Sequence, residues 1–229
     1  MDHAARLRLF QLVSPALPVG AFSYSEGLEV QVQGGRLADG AAVAAWLEAE
    51  LERGLLPVEA AALAPLRAAL ERWRQGQPEG EAAVRELDGW LLAQREAAEL
   101  RAQQRQMGRS LLQLLADLGW PLPPGASPSA TLGWPTAWAW AGLCLDLEAE
   151  ELREAYLYGW CTNQISAAVR LVPLGPTEAQ RLQLALAPTV AQRSASLEGC
   201  DPRELRSGGV GAALAQLGHG ELYSRLFRS

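Results

Sequence analysis

Apolar residues recur every three or four positions along most of the 229-residue chain, which is the spacing of one face of an α-helix. Residues 4–13 show this spacing first, with Leu7, Leu9 and Phe10 among the apolar positions. β-branched residues are scarce beside alanine, leucine, glutamate, arginine and glutamine, which all favour helices. The pattern predicts an all-α fold, a single-domain bundle of about ten helices with no sheet.

Glycines, prolines and polar caps divide the first half of the chain into helices. Ser23 and Glu26 fit a capping box that would start the second helix, and Asp39 can cap the third. Pro65 predicts a kink or a break in the fourth helix, and Gly108 a bend or a break in the fifth. The predicted helices of this half cover about 4–13, 23–34, 40–53, 57–74 and 81–118, with a loop at 76–81.

The second half begins with residues 119–129, which are too rich in proline and glycine for regular structure and are expected to form a connection. Thr177 with Gln180 fits another capping box, and the sequence DPRE at 201–204 is typical of a helix start. The predicted helices of this half cover 134–147, 148–171, a segment from 177, a segment from 201 and a short helix after the glycines at 208–209.

The end of the chain differs in composition from the rest. A glycine-rich joint is followed by aromatic, aliphatic and guanidinium groups, among them Tyr223, Arg225, Phe227 and Arg228. A chain end of this kind docks either on its own domain or on another protein. We expect residues 1–207 to form the helical domain, and residues 208–229 to form a flexible joint and a partner-docking tail outside the core.

Composition excludes several classes of partner. The net charge of −6 and the pI near 5.1 give no general attraction to nucleic acid. No run of about 18 apolar residues predicts a membrane span, and the first residues do not resemble a secretory signal. The three cysteines are far apart and odd in number, so we expect a cytoplasmic protein without structural disulfides.

Candidate catalytic groups are few. The two histidines, His3 and His219, lie near opposite ends of the chain, so a triad or a Cys-His pair is hard to build. Neither a phosphate-binding glycine loop nor a paired-ligand metal motif occurs. We expect no catalytic residue and no metal ligand. The alternative is an all-α enzyme using Glu26 and Glu29, which are three residues apart and are therefore expected on one helix face.

Several arginines fall in a row on the predicted helix at 81–118. Arg101, Arg105 and Arg109 are spaced by four residues, and Arg95 precedes them. Because like charges at this spacing repel one another, the row suggests a carboxylate partner. We expect either a solvated face or pairing within the chain.

The segment SPALPVGAFSYSEGLE, residues 14–29, is richer in proline and glycine than a connection between two helices requires. A helix stop at Pro15 and a restart near Ser23 account for part of it. They do not account for Phe22, Tyr24 or Glu29. The segment is either a rigid loop or a recognition surface.

Three segments together resemble the urease accessory protein F (UreF) family. They are SPALPVGAFSYSEGLE at 14–29, YLYGWCTNQISAAVRLVPLG at 156–175 and YSRLFRS at 223–229, with QMGRSLL at 106–112 as a weaker fourth. They occur in the order and spacing of that family. Glu26 departs from its pattern, since the family often has glutamine there.

The resemblance implies an all-helical, non-enzymatic maturation factor. Proteins of this family act with a second accessory protein (D or H), recruit the GTPase accessory protein G and serve apo-urease, with a homodimer in the complex. Nickel would be carried by the partners, with no cofactor bound tightly by this chain. The resemblance also suggests that residues 14–29 present Glu29 at a partner-binding face. The expected partner-binding residues are Tyr24, Ser25, Glu26, Glu29, Arg170, Tyr223, Arg225, Phe227 and Arg228.

Overall fold

The computed structural model describes residues 3–123 and 132–229, and within them the fold is all-α, as predicted. These residues form ten α-helices and no strand. The helices are α1 (His3–Leu12), α2 (Leu28–Gln33), α3 (Gly40–Arg53), α4 (Leu56–Arg74), α5 (Pro78–Ala93), α6 (Ala98–Asp117), α7 (Trp134–Cys144), α8 (Ala149–Leu171), α9 (Pro176–Ser196) and α10 (Val210–Leu217). Single 3₁₀ turns occur at Ala21–Ser23 and Gly218–Glu221. The predicted connection at 119–129 lies partly outside the described residues.

The core is organised around α4. The first turns of this helix, from Leu56 to Leu63, are buried on every side, which is typical of a helix surrounded by others. α4 packs against α3, α5, α7 and α8, while α9 covers α3 and α8. The side chain of Trp138 on α7 is buried and donates to the backbone oxygen of Leu152 on α8 at 3.1 Å, so α7 and α8 are also joined by a polar contact. Among residues 3–123 and 132–229, every helix falls short of the combined length and hydropathy that a membrane span requires.

One of the three predicted side-chain caps is confirmed. The Asp39 side chain accepts from the backbone nitrogen of Ala42 at 2.9 Å at the start of α3. The other two predicted caps were wrong, because α2 and α9 begin after Gly27 and Gly175 without a side-chain cap. Pro176 starts α9 earlier than predicted, since its fixed φ suits the first helical turn.

The helix breaks predicted at Pro65 and Gly108 are absent, and one break lies elsewhere. α4 passes through Pro65 without a break, and Pro65 itself lies on the exposed side of the helix. α6 passes through Gly108, whereas the chain breaks at residues 94–97. There Arg95 leaves the helix and pairs with Glu59 in the core.

Two further local predictions were wrong. The loop expected at 76–81 is shorter, because Pro78 begins α5. The expected helix at 201–204 forms only a turn, with Asp201 accepting from the backbone nitrogen of Arg203 at 2.9 Å. The two glycines at 208–209 follow too soon for a first helical turn to propagate.

The C-terminal segment returns to the helical domain. The backbone nitrogen of Gly208 donates to the oxygen of Arg53 at 2.6 Å, and α10 then packs on α2. Five residues of this segment are buried, namely Ala215, Gln216, His219, Phe227 and Ser229, so the expectation that the whole segment lies outside the core does not hold. Docking of this segment on a partner stays a prediction, as does the division of the chain at residue 207.

Candidate partner-binding site

The segment at 14–29 and the C-terminal tail form one structure. The backbone oxygen of Ser229 accepts from the Ser25 nitrogen at 2.7 Å, from its hydroxyl at 2.6 Å and from the Glu26 nitrogen at 3.2 Å. Arg228 donates its backbone nitrogen to the oxygen of Ser23 at 2.9 Å. Residues about two hundred positions apart in sequence therefore share a continuous set of hydrogen bonds.

Glu29 holds the tail from inside. Its carboxylate accepts from the backbone nitrogens of Leu226 at 2.7 Å and Phe227 at 3.2 Å. Nε2 of the fully buried His219 lies 3.3 Å from the same carboxylate. Only 2% of Glu29 is exposed, so its negative charge is matched by donors of the chain itself.

Arg170 covers the tail from outside. Its guanidinium carbon lies 4.6 Å from the centroid of the Phe227 ring, within the range of a cation–π contact. Its Nη1 also donates to the backbone oxygen of Phe22 at 3.3 Å. Arg170 therefore joins the end of α8, the segment at 14–29 and the tail.

A buried cluster of charges includes Glu26 of the segment at 14–29. Arg95 donates through Nε and Nη2 to one oxygen of Glu59, at 3.0 and 2.5 Å, and Tyr156 donates to the other oxygen at 2.8 Å. Glu26 accepts from Nε1 of Trp160 at 3.0 Å and lies 3.6 Å from Nη1 of Arg95. The cluster holds two carboxylates around one guanidinium.

Burial and charge act together on this cluster. Burial raises the pKa of Glu59, although Arg95 opposes the effect. For Arg95, burial lowers the pKa, but the carboxylates of Glu59 and Glu26 outweigh burial and raise it. Burial, followed by the charge of Glu59, raises the pKa of Tyr156 well above its usual value, so this hydroxyl stays a neutral donor.

Two cavities adjoin the cluster. One of about 170 Å³ lies beneath the segment at 14–29, against α6, α7 and α8, and its walls are mainly apolar. The other, of about 450 Å³, opens between α3 and residues 205–213. Glu50 lines this second cavity, where burial and then the charge of Glu26 raise its pKa to about 7.

The structure separates the nine predicted site residues by environment. Tyr24, Ser25, Glu29 and Phe227 are buried, and Glu26 is partly buried. The exposed members of the set are Arg170, Tyr223, Arg225 and Arg228. The segment and the tail are thus brought together, but the side chains that face outward come mainly from the tail and from α8. Contact of any of them with a partner stays a prediction.

The catalytic alternative required Glu26 and Glu29 to share one helix face. They do not share one. Glu26 precedes α2 and has a left-handed φ of 50°. Its carboxylate contacts α6 and α8, whereas that of Glu29 contacts the tail and His219. The arginine row is also interrupted, because Arg95 is buried at the break between α5 and α6.

Three residues of the site were missed in the sequence. Gln103 and Trp160 bind Glu26, and His219 binds Glu29. His219 carried a weak signal as one of two histidines in the chain. Gln103 carried none, since it is one of several glutamines on a helix with an ordinary amphipathic pattern.

Metal binding gains no geometric support. Among residues 3–123 and 132–229, no three His, Cys, Asp or Glu side chains lie close enough together to hold an ion. The expectation that this chain binds no cofactor tightly stays a prediction.

Comparison with known proteins decides the family. The UreF family model matches residues 37–187. The chain is 44% identical over 225 residues to the urease accessory protein UreF of Alkalilimnicola ehrlichii, covering 98% of this chain and 96% of that protein. The chain belongs to the UreF family. The resemblance inferred from the three sequence segments is confirmed.

Other relatives align over their full length. The urease accessory proteins UreF of Ralstonia pickettii and of Thermosynechococcus vestitus are each 40% identical to this chain, over 237 and 231 residues, and cover all of both sequences. The family model leaves out residues 14–29 and the tail, but these full-length alignments span both. Membership in a family of urease accessory proteins assigns the chain a role in urease maturation.

Proposed function

We propose that the chain is a non-enzymatic cytoplasmic scaffold for nickel insertion into apo-urease. It binds a second accessory protein (D, also called H), and the pair recruits the GTPase accessory protein G. Nickel is the cargo and is carried by the partners, while this chain, as a homodimer in the complex, positions them and modulates the GTPase. Family membership supports the maturation role, and one surface feature supports partner binding.

That feature is α10, which exposes its larger apolar side chains instead of burying them. The helix turns Ala215 and Gln216 toward the domain and leaves Val210, Leu214 and Leu217 outward, with 64%, 63% and 54% of each residue exposed. These three positions are separated by four and three residues, so they form one stripe. A helix that buries alanine and exposes valine and leucine is typical of a binding surface.

The tail carries further exposed apolar groups. Tyr223 is fully exposed and Leu226 is about half exposed, although the neighbouring Phe227 is buried. Aromatic and aliphatic groups of this kind form the centres of protein interfaces, with arginines such as Arg225 and Arg228 beside them. We call Val210, Leu214, Leu217, Tyr223 and Leu226 the apolar tail surface.

Co-expression tests the proposal. The chain is produced with accessory protein D and GTPase G, and complexes are captured through a tag on D. We expect the wild-type chain to bring G into the complex and Leu214→Glu to reduce its own capture by at least about tenfold, because a charge would be buried without a partner. Leu184→Glu is the matched control, since Leu184 is 75% exposed on α9.

The result has a clear reading. Capture of wild type and Leu184→Glu, with loss of Leu214→Glu, supports a scaffold that binds through the apolar tail surface. Equal capture of all three excludes this surface, and absence of any complex between the wild-type chain and D or G overturns the scaffold proposal.

A further inference from the structure

Gln103 on α6 connects the tail to the buried charges. Its Oε1 accepts from the hydroxyl of Ser229 at 2.6 Å, and its Nε2 donates to Oε1 of Glu26 at 2.5 Å. Gln103 is only 3% exposed. An amide is suited to this place because it accepts on one side and donates on the other.

Glu26 needs a neutral donor at this oxygen. Its other oxygen already receives Trp160 and lies near Arg95, and that guanidinium is shared with Glu59. An acidic group in place of Gln103 would add a third carboxylate around one guanidinium. The cluster therefore favours an uncharged donor on the side that faces the tail.

Gln103 also completes a second path to Ser229. The backbone nitrogen of Glu26 donates to the Ser229 oxygen at 3.2 Å, while its carboxylate reaches the Ser229 hydroxyl through Gln103. The backbone oxygen and the hydroxyl of Ser229 are therefore both linked to Glu26, one directly and one through Gln103. The side chain of Glu26 is in turn held by Trp160 and Arg95. This geometry locates the tail relative to α6 and α8, which its backbone bonds to Glu29 alone do not do.

We propose that Gln103 is a positioning residue that sets the docked position of residues 223–229 and, through it, the apolar tail surface. The consequence for binding rests on the proposed function, in which that surface receives accessory protein D. The position of the tail itself can be measured in the isolated chain.

Hydrogen exchange measures tail docking directly. The reporters are the backbone nitrogens of Leu226 and Phe227, which are protected by Glu29. Gln103→Leu leaves the Ser229 hydroxyl and Glu26 Oε1 without their partner, so we expect exchange at both reporters to rise by about tenfold or more. Gln106→Leu is the matched control, because Gln106 lies on the same helix, is exposed and, among residues 3–123 and 132–229, forms a side-chain hydrogen bond to Ser110 alone.

A charge exchange separates positioning from packing. Gln103→Glu keeps the size of the side chain but places a carboxylate against Glu26, so we expect faster exchange at the two reporters. Adding Glu26→Gln restores this hydrogen bond with its direction reversed, because the amide at position 26 then donates to the carboxylate at position 103. We expect the double variant to recover at least half of the lost protection, measured as the logarithm of the exchange rate.

Binding of purified accessory protein D to the same variants completes the test. We expect both Gln103→Leu and Gln103→Glu to weaken binding, and the variant with the faster exchange at Leu226 and Phe227 to bind more weakly. The double variant should recover part of the lost affinity. Equal protection of the reporters in wild type, Gln103→Leu and Gln106→Leu overturns the positioning role, as does a double variant no better than Gln103→Glu. If the exchange results hold but wild type does not bind D, the positioning role is supported and the proposed function fails.

Discussion

At the scale of single residues, position in the fold separates side chains that look alike in sequence. Glu26, Glu29 and Glu50 are all glutamates near the tail, yet Glu29 is enclosed by donors, Glu26 belongs to a charge cluster and Glu50 lines a cavity. The described residues show no hydrogen bond to the Glu50 carboxylate, and its pKa is raised to about 7. A raised pKa means that the folded state prefers the protonated form.

This preference predicts how stability depends on pH. The ordinary pKa of Glu50 is 4.5, so between pH 4.5 and about 7 the folded chain binds more protons at this site than the unfolded chain. The free energy of unfolding should therefore fall as pH rises through this window, by about 3 kcal/mol at most. Glu50→Gln removes the unfavourable free energy of ionising a buried carboxyl group. We therefore expect this variant to be more stable than wild type at pH 8 and similar to it at pH 4.5.

Denaturant unfolding from pH 4.5 to pH 8 provides the measurement. Glu52→Gln is the control, because the Glu52 side chain is 59% exposed on the same helix. If Glu50→Gln and wild type lost stability in parallel over this range, Glu50 would not be the group that titrates.

At the scale of the helices, close approach decides which glycines matter. Gly108 lies in the middle of α6, where a side chain would run into the backbone of Leu132 and Gly133 at the start of α7. Gly89 lies within α5, is exposed and has open space around it. Sequence patterns treat both as weak points in a helix, but only Gly108 lets two helices touch.

Alanine substitutions should therefore have opposite effects at these two glycines. Gly108→Ala should lower the free energy of unfolding by about 1–3 kcal/mol, because the overlap with backbone atoms forces α6 and α7 apart. Gly89→Ala should raise it by about 0.5–1 kcal/mol, since alanine is the better helix former. Denaturant unfolding of both variants measures the difference, and destabilisation of the same size at both sites would contradict the packing argument.

At the scale of the whole molecule, the tail closes the chain on itself. It joins α2, α6 and α8 through Glu29, Gln103 and Arg170, and it adds Phe227 to the hydrophobic core. The same segment carries exposed apolar groups on its other side. The tail therefore packs against the helices and is a candidate surface for partners at the same time.

Truncation of the Phe227 side chain should reveal how much it contributes to the stability of the fold. We expect Phe227→Ala to lower the free energy of unfolding by about 2 kcal/mol, because a buried ring is lost while the tail relaxes in part. This corresponds to a fall in Tm of about 4–8 °C for a domain of this size. Tyr223→Ala is the control, since Tyr223 is fully exposed. Equal melting temperatures for the two variants would show that Phe227 does not contribute to the core.

Much of the fold could be predicted before the structure was known. The helices at 4–13, 40–53, 148–171 and after 208–209 follow from apolar spacing and local caps, which act within a few residues. Some errors had local causes, such as the early helix starts at Pro78 and Pro176, and others came where distant contacts overrode local preference. The chain breaks at Arg95, which binds Glu59 in the core, and the glycine within α6 at position 108 leaves room for the backbone of Leu132 and Gly133.

The sequence by itself determined the helical class, most helix positions, the family and the importance of its two unusual segments. These properties depend on periodicity, on backbone preferences of single residues and on motifs that are contiguous in the chain. The tertiary structure alone decided that the two segments form one site, that Glu29 faces inward and that Gln103 belongs to the site. Contacts between residues 25–29, 103 and 226–229 arise only when the helices pack, so no local pattern could specify them.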